Sequence, residues 1–273
     1  MTASQNVLLV GGGKMGGAML RGWMVRGMAA DNVRVIEPFE AAAEELRSEL
    51  SVSVLDGPDA LDSGFTPDVV VFAVKPQGMD EIVPLYAGIG AGGPVVLSIA
   101  AGRNIAFFEC ALGNSTPIVR TMPNTPAAVG RGITAACANR EVSDEQKAIC
   151  QSLLEAVGDV VWIDDEGQID AVTAVSGSGP AYVFYLIECM AAAGEAQGLP
   201  PEIAEKLARA TVAGSGELAR QSADAAGTLR ENVTSRGGTT AAALEVLMAD
   251  NGMNPLMNEA IAAAARRSRE LAG

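Results

Sequence analysis

Gly11, Gly13 and Gly16 stand in the order G-x-G-x-x-G directly after the apolar run Val7–Val10. Glycines at this spacing, between a strand and a helix, do three things. The first permits a tight turn, the second lets a phosphate approach the backbone, and the third lets the helix lie close on the strand. The N–H groups at the start of that helix can then hold a pyrophosphate. The stretch Val10, Gly11, Gly12, Gly13, Lys14, Met15 and Gly16 is therefore read as a dinucleotide-binding turn rather than a generic glycine-rich one. Glu37 ends the second apolar run, at the place where a carboxylate meets ribose hydroxyls and repels a 2′-phosphate. This tilts the reading from NADPH toward NADH, although Arg34 or Arg47 would meet such a phosphate. The alternative is a solvated carboxylate at a strand end.

Further candidates follow later strands. Val71–Val74 runs into Lys75-Pro76-Gln77, and the proline cannot extend a ladder, so the strand must end there. Ser98-Ile99-Ala100-Ala101-Gly102 follows the next run, and its small residues would let a flat ring lie near the backbone. Ligands of open α/β sheets collect at such strand ends. Arg120–Pro126, with two prolines, reads as a rigid polar loop, either lining a cleft or simply turning the chain. Ser176-Gly177-Ser178-Gly179-Pro180 opens a long helix and offers N–H groups to an anion, or serves as a hinge. Asn232–Thr240 carries Gly237-Gly238 between the hydroxyls of Ser235, Thr239 and Thr240, and suits a small carboxylate. Ordinary helix capping by Ser or Thr is the competing reading. The chain has no histidine, which excludes imidazole acid–base chemistry and histidine-ligated metals.

These residues need a scaffold. Val7–Val10, Val33–Glu37, Val69–Val74 and Val95–Ile99 read as buried strands, with helices at Met15–Arg26 and Ala41–Leu50 between them. Ile133–Ala138 and Val160–Ile163 are later strands around a helix near 143–157. The alternation predicts an α/β fold, a Rossmann-type parallel sheet covered on both faces, over residues 1–164. From Asp165 the texture becomes Ala-rich and helical, at Ala181–Gln197, Pro201–Arg220, Thr240–Ala249 and Pro255–Leu271, giving an all-helical second domain over 165–273. Small residues let helices approach closely, so this half either packs on another copy of itself or forms a compact monomer. A net charge of −14 and 4% aromatic content disfavour nucleic acid and anionic membrane as partners. Four cysteines without a C-x-x-C pair, and no leader pattern in Met1–Asn6, lead us to expect a reduced, cytoplasmic protein without a metal.

In order along the chain, G-x-G-x-M-G, A-V-K-P-Q, S-I-A-A-G, M-P-N-T-P, A-V-S-G-S-G-P-A-Y and N-V-T-S-x-G-G-T-T-A-A-A-L resemble pyrroline-5-carboxylate reductase. The likeness covers essentially the whole chain. It implies reduction of 1-pyrroline-5-carboxylate to L-proline, the last step of proline synthesis, with NADPH or NADH. It implies a Rossmann domain followed by a helical dimerisation domain, with homodimers often assembled five to a decamer. Carried over by motif, the cofactor site would include Val10 to Met15, Ala73, Val74, Lys75, Pro76, Ile99, Ala100, Ala101 and Asn232. The substrate carboxylate would lie on Ser235, Gly238, Thr239 and Thr240 of a neighbouring subunit, with Glu166 near the substrate and Thr240 as proton donor to the imine nitrogen. Arg236 departs from the family, many members of which have Pro before Gly-Gly. A hydroxyacid dehydrogenase would want a lysine acid/base in the helical half, where only Lys206 occurs. A dinucleotide sensor without catalysis would have no use for the Ser235–Thr240 loop.

Overall fold

The structure is a computed structural model that describes residues 5–90 and 93–272. Residues 1–4, where a leader would begin, lie outside the described residues. Of those described, the ones within 1–177 and 265–273 form one compact unit and those within 178–264 a second. The sequence texture changes at Asp165, just after the last strand, whereas the compact units divide after Gly177.

The first unit is built on eight strands: β1 Val7–Val10, β2 Val33–Ile36, β3 Ser53–Leu55, β4 Val69–Phe72, β5 Val95–Ser98, β6 Ile118–Met122, β7 Gly132–Ala138 and β8 Gly158–Trp162. Their order across the sheet is β3-β2-β1-β4-β5-β6-β7-β8. The first six strands run parallel, with Val10 in register between Ile36 and Phe72. β7 runs antiparallel to β6, and β8 follows β7. The sheet is thus mostly parallel, as the βαβ alternation predicts, and reverses only between β6 and β7. The link from β6 to β7 is too short for a crossover helix, so the chain can only fold back.

Helices α1 Lys14–Val25, α2 Glu40–Leu50, α3 Met79–Ile82, α4 Ala87–Gly90, α5 Ile105–Leu112, α6 Asp144–Leu154 and α7 Ile169–Val172 accompany these strands. Side chains alternate across a strand, so the central Val-rich runs feed two cores. Leu9, Val35, Val71 and Leu97 pack with Met19, Trp23 and Leu153 on one face. Leu8, Val70, Phe72 and Val96 pack with Met79, Tyr86 and Phe108 on the other. The Trp23 indole N–H is satisfied by the Leu153 carbonyl at 2.9 Å. Ser143 and Gln146 cap α6 reciprocally, which fixes its start.

The second unit holds α8 Gly179–Ala196, α9 Pro201–Gln221, α10 Ala226–Asn232, α11 Thr239–Leu247 and most of α12 Met253–Ala272. Gly194 packs against Ala204, bringing α8 and α9 close. Among the described residues of 178–264, the buried apolar side chains are Ala191, Ala204 and Ala208. Phe184, Tyr185, Leu207, Leu218, Val246, Met248 and Leu256 are exposed. From Ala265 the end of α12 belongs to the first unit, where the Ser268 hydroxyl donates to Asp170 at 2.6 Å.

Candidate active site

The glycine turn has the geometry that its spacing predicts. Gly11 sits at φ +102°, and a Cβ there would lie 2.8 Å from the Ala73 carbonyl oxygen. A Cβ on Gly16 would lie 2.1 Å from the Gly11 carbonyl oxygen, so α1 approaches β1 only because position 16 has none. Gly13 differs, for nothing lies within 4 Å of where its Cβ would be. The fold itself does not require glycine there, since the space beside its Cα is open. Gly13 caps α1 without a side-chain hydrogen bond, and the first turn of α1 has no acidic residue. Its N–H groups are therefore poised for an anion.

Lys14 begins α1 and Lys75 follows β4, so both lie at the carboxyl ends of adjacent strands. Both are exposed. Among the described residues neither has an ion-pair partner, whereas Arg21, Arg34, Arg47, Arg103 and Arg120 all do. In a chain of charge −14, two unneutralised ammonium groups beside a phosphate-type turn form a local positive spot. A groove of about 760 Å³ runs from Gly12, Gly13 and Lys14 along α1 to Ala127–Gly130.

Glu37 is buried directly after β2, and its carboxylate is tied down. One oxygen accepts the Gly12 N–H at 2.8 Å and the other the Phe39 N–H at 3.0 Å. It thus shapes the glycine turn in addition to any contact with a ribose. Arg34 is held by Asp62 and by the Asp31 carbonyl, and Arg47 by Glu40, so the two cations read as possible phosphate partners are already engaged.

Ala73, Val74, Lys75 and Pro76 leave β4, and Ile99, Ala100 and Ala101 leave β5, at neighbouring strand ends. Arg120 to Met122 belong to β6, which corrects the reading of Arg120–Pro126 as a loop. The Thr121 hydroxyl and the Arg120 Nη1 each have a partner inside the strand, whereas the Arg120 Nε is buried without one among the described residues. Thr121 donates to the Ser98 carbonyl at 2.9 Å, and Arg120 donates to Glu166 at 2.7 Å. The same Glu166 oxygen accepts the Ile105 N–H at 2.8 Å. Glu166 thereby joins β6 to the start of α5 within the sheet unit. Cys137, opposite Arg120 in the β6–β7 ladder, has its thiol pKa raised by burial and further by the Glu166 charge, so it stays protonated. Asn124 accepts the Ile133 N–H at 2.9 Å and donates to the Ser176 carbonyl at 3.1 Å, so the M-P-N-T-P and S-G-S-G-P motifs meet. Ser178 is itself helical, at φ −85° and ψ −21°, and follows a π-helical turn at Thr173–Gly177. The amides of this motif thus do not open from a loop, which weakens its reading as an anion site.

In the helical unit, Asn232 ends α10 and Thr239 and Thr240 begin α11. Gly238, not a serine or threonine, is the capping residue of α11, and no side chain caps it. Gly237 takes φ +69°, and the Ser235 hydroxyl lies so close to Gly238 that a Cβ there would be 2.4 Å away. The helix start therefore keeps its N–H groups uncapped, and Thr240 is half-buried beside them. Arg236 is exposed.

Comparison with known proteins decides the family. Residues 166–271 match the model described as pyrroline-5-carboxylate reductase dimerisation, and residues 6–102 the one described as NADP oxidoreductase coenzyme F420-dependent. The chain is 39% identical to pyrroline-5-carboxylate reductase of Pseudomonas aeruginosa, over 99% of this chain and 98% of that one. It belongs to the pyrroline-5-carboxylate reductase family. A solved family structure from Coxiella burnetii superposes with a TM-score of 0.93 at 34% identity, covering 99% of both chains. A Plasmodium falciparum pyrroline carboxylate reductase, solved with NADP bound, superposes with a TM-score of 0.82 at 27% identity, covering 100% of both. The family likeness spans both compact units. Sequence reasoning missed Arg103 and Asp80. They lie between motifs, and only the fold shows what they hold.

Proposed function

We propose that the chain reduces 1-pyrroline-5-carboxylate to L-proline with NADPH or NADH, by hydride transfer to the imine carbon. The observation that carries this reading is full-length family membership, joined to a glycine turn whose Gly13 faces open space. When bound, the reduced nicotinamide supplies the hydride. The residues of this chain bind and orient. Gly11 to Lys14 and Lys75 hold the phosphates, and Ala73 to Pro76 with Ile99 to Ala101 border the rest of the dinucleotide. Asn232 completes that set. Ser235, Gly238 and Thr239 hold the substrate carboxylate at the uncapped start of α11, and the Thr240 hydroxyl donates toward the imine nitrogen. Glu166, fixed by Arg120, falls where the family places a carboxylate near the substrate. Net, one C–H and one N–H bond form as the C=N double bond becomes single.

The exposed apolar faces of the helical unit, together with its match to a dimerisation model, support self-association. The same proposal includes a homodimer whose substrate loop serves a neighbouring subunit, assembly of five dimers into a decamer, and a cytoplasmic location. Among the described residues no helix is long and apolar enough to cross a membrane. The test is loss of reduced-nicotinamide absorbance when the cyclic imine acid is added, with proline identified as product. Dinucleotide binding without turnover would leave only the binding half of the proposal standing.

A further inference from the structure

Arg103 belongs to none of the motifs, yet its side chain joins two of them. It stands just after the Ser98–Gly102 motif that leaves β5, and reaches back to the loop that leaves β4. Its Nε and Nη2 donate to the Pro76 carbonyl at 3.4 and 3.2 Å. Nη2 is also ion-paired with Asp80 at the start of α3. The guanidinium lies over the Phe107 ring, 4.7 Å from its centroid, and is about three-quarters buried. A lysine could not reproduce this arrangement, because the planar fork meets carbonyl, carboxylate and ring at once.

The loop it fixes is held from the other side as well. Two residues on, the Ile105 N–H is taken by Glu166, which is itself anchored by Arg120 in β6. Gly102 is at φ +76°, and the Leu271 carbonyl lies so near that an added Cβ would be 3.3 Å from it. The segment 99–105 is thus tied toward β4 by Arg103 and toward β6 by Glu166, with the end of α12 against it. Loops usually carry the mobility of a strand-end site. Here two charged clamps span the ends of β4, β5 and β6.

We propose that Arg103 is a positioning residue for the dinucleotide. It sets the distance between the Lys75-Pro76 and Ile99–Ala101 loops, between which the nicotinamide half of the cofactor must enter. This rests on the cofactor site proposed above. Arg103 touches neither substrate nor cofactor in this role, and it acts only on the half of the cofactor site beyond β1.

The test compares wild type, Arg103→Met and Arg103→Lys by titration with NADH, NADPH and ADP, alongside steady-state kinetics and thermal melting. ADP probes only the glycine turn and the β2 side. With Arg103→Met, binding of both dinucleotides should weaken about tenfold, the loss of one charge-assisted interaction, with ADP binding unchanged. The KM for dinucleotide should rise while that for the imine acid stays constant. Arg103→Lys should recover part of the loss, because it keeps the charge but not the fork. Equal weakening of ADP and dinucleotide, or an unchanged dinucleotide KM in Arg103→Met, would overturn the proposal. If wild type itself binds no dinucleotide, the cofactor reading fails first, and the titration shows that before any variant is made.

Discussion

Thr240 and Glu37 carry the sharpest expectations among single residues. The start of α11 is capped by Gly238 and by no side chain, so the hydroxyl of Thr240 is not needed to begin the helix. Thr240→Val keeps the shape and removes the hydroxyl. It should lower turnover by about 10²–10⁴-fold if that hydroxyl relays the proton, with dinucleotide binding intact. A smaller loss, with a raised KM for the imine acid, means that Thr240 orients the substrate and water supplies the proton. Full activity would remove Thr240 from the mechanism. Glu37 is more entangled than its position suggests, because both oxygens hold backbone N–H groups. Glu37→Ala should cost about 1–3 kcal/mol of stability by stranding those donors, as well as changing cofactor choice. Glu37→Gln keeps an acceptor and removes the charge. It should raise the kcat/KM ratio of NADPH over NADH by about tenfold. A ratio unchanged in Glu37→Gln would show that the carboxylate shapes the turn and does not select the cofactor.

At the scale of elements, the glycine turn separates fold from ligand. Gly16→Ala puts a Cβ into the Gly11 carbonyl, so α1 must move. Both melting temperature and dinucleotide affinity should fall, the stability by about 1–3 kcal/mol. Gly13→Ala meets only open space, so stability should change by no more than about 1 kcal/mol while dinucleotide affinity still drops. Normal binding by Gly13→Ala would count against the phosphate-facing role of that position. The turn was legible in the sequence because Gly11 and Gly16 answer to backbone geometry alone. The central strands were legible because burial on both faces makes them unbroken runs of Val, Leu and Ile. β6 was hidden, since Arg120 and Thr121 look like loop residues until their partners Glu166 and the Ser98 carbonyl are brought across from distant segments. β3 was hidden by its length, only Ser53–Leu55. The reversal at β7 depends on a short link that carries no periodic signal. Arg103 was invisible for the same reason as β6: its acceptors, Pro76 and Asp80, are remote in sequence.

The whole molecule is unevenly finished. The sheet unit encloses two apolar cores, while the helical unit buries only alanines and leaves Phe184, Leu207, Val246 and Leu256 in the open. A monomer with such faces is a poor final state. Sedimentation of dilute protein should show a dimer or larger, with folded monomer scarce. A stable, active monomer would sink both the interface and the shared site. The same bare helices set a clock. If residues 178–264 complete their core only against another chain, the last stage of refolding is a collision, and its rate grows with protein concentration. Each chain carries a charge of −14, so the partners repel one another at a distance and added salt shortens the wait. Early after synthesis, when few copies exist, a larger share of chains sits half-built with its oily helices open to proteases and chaperones.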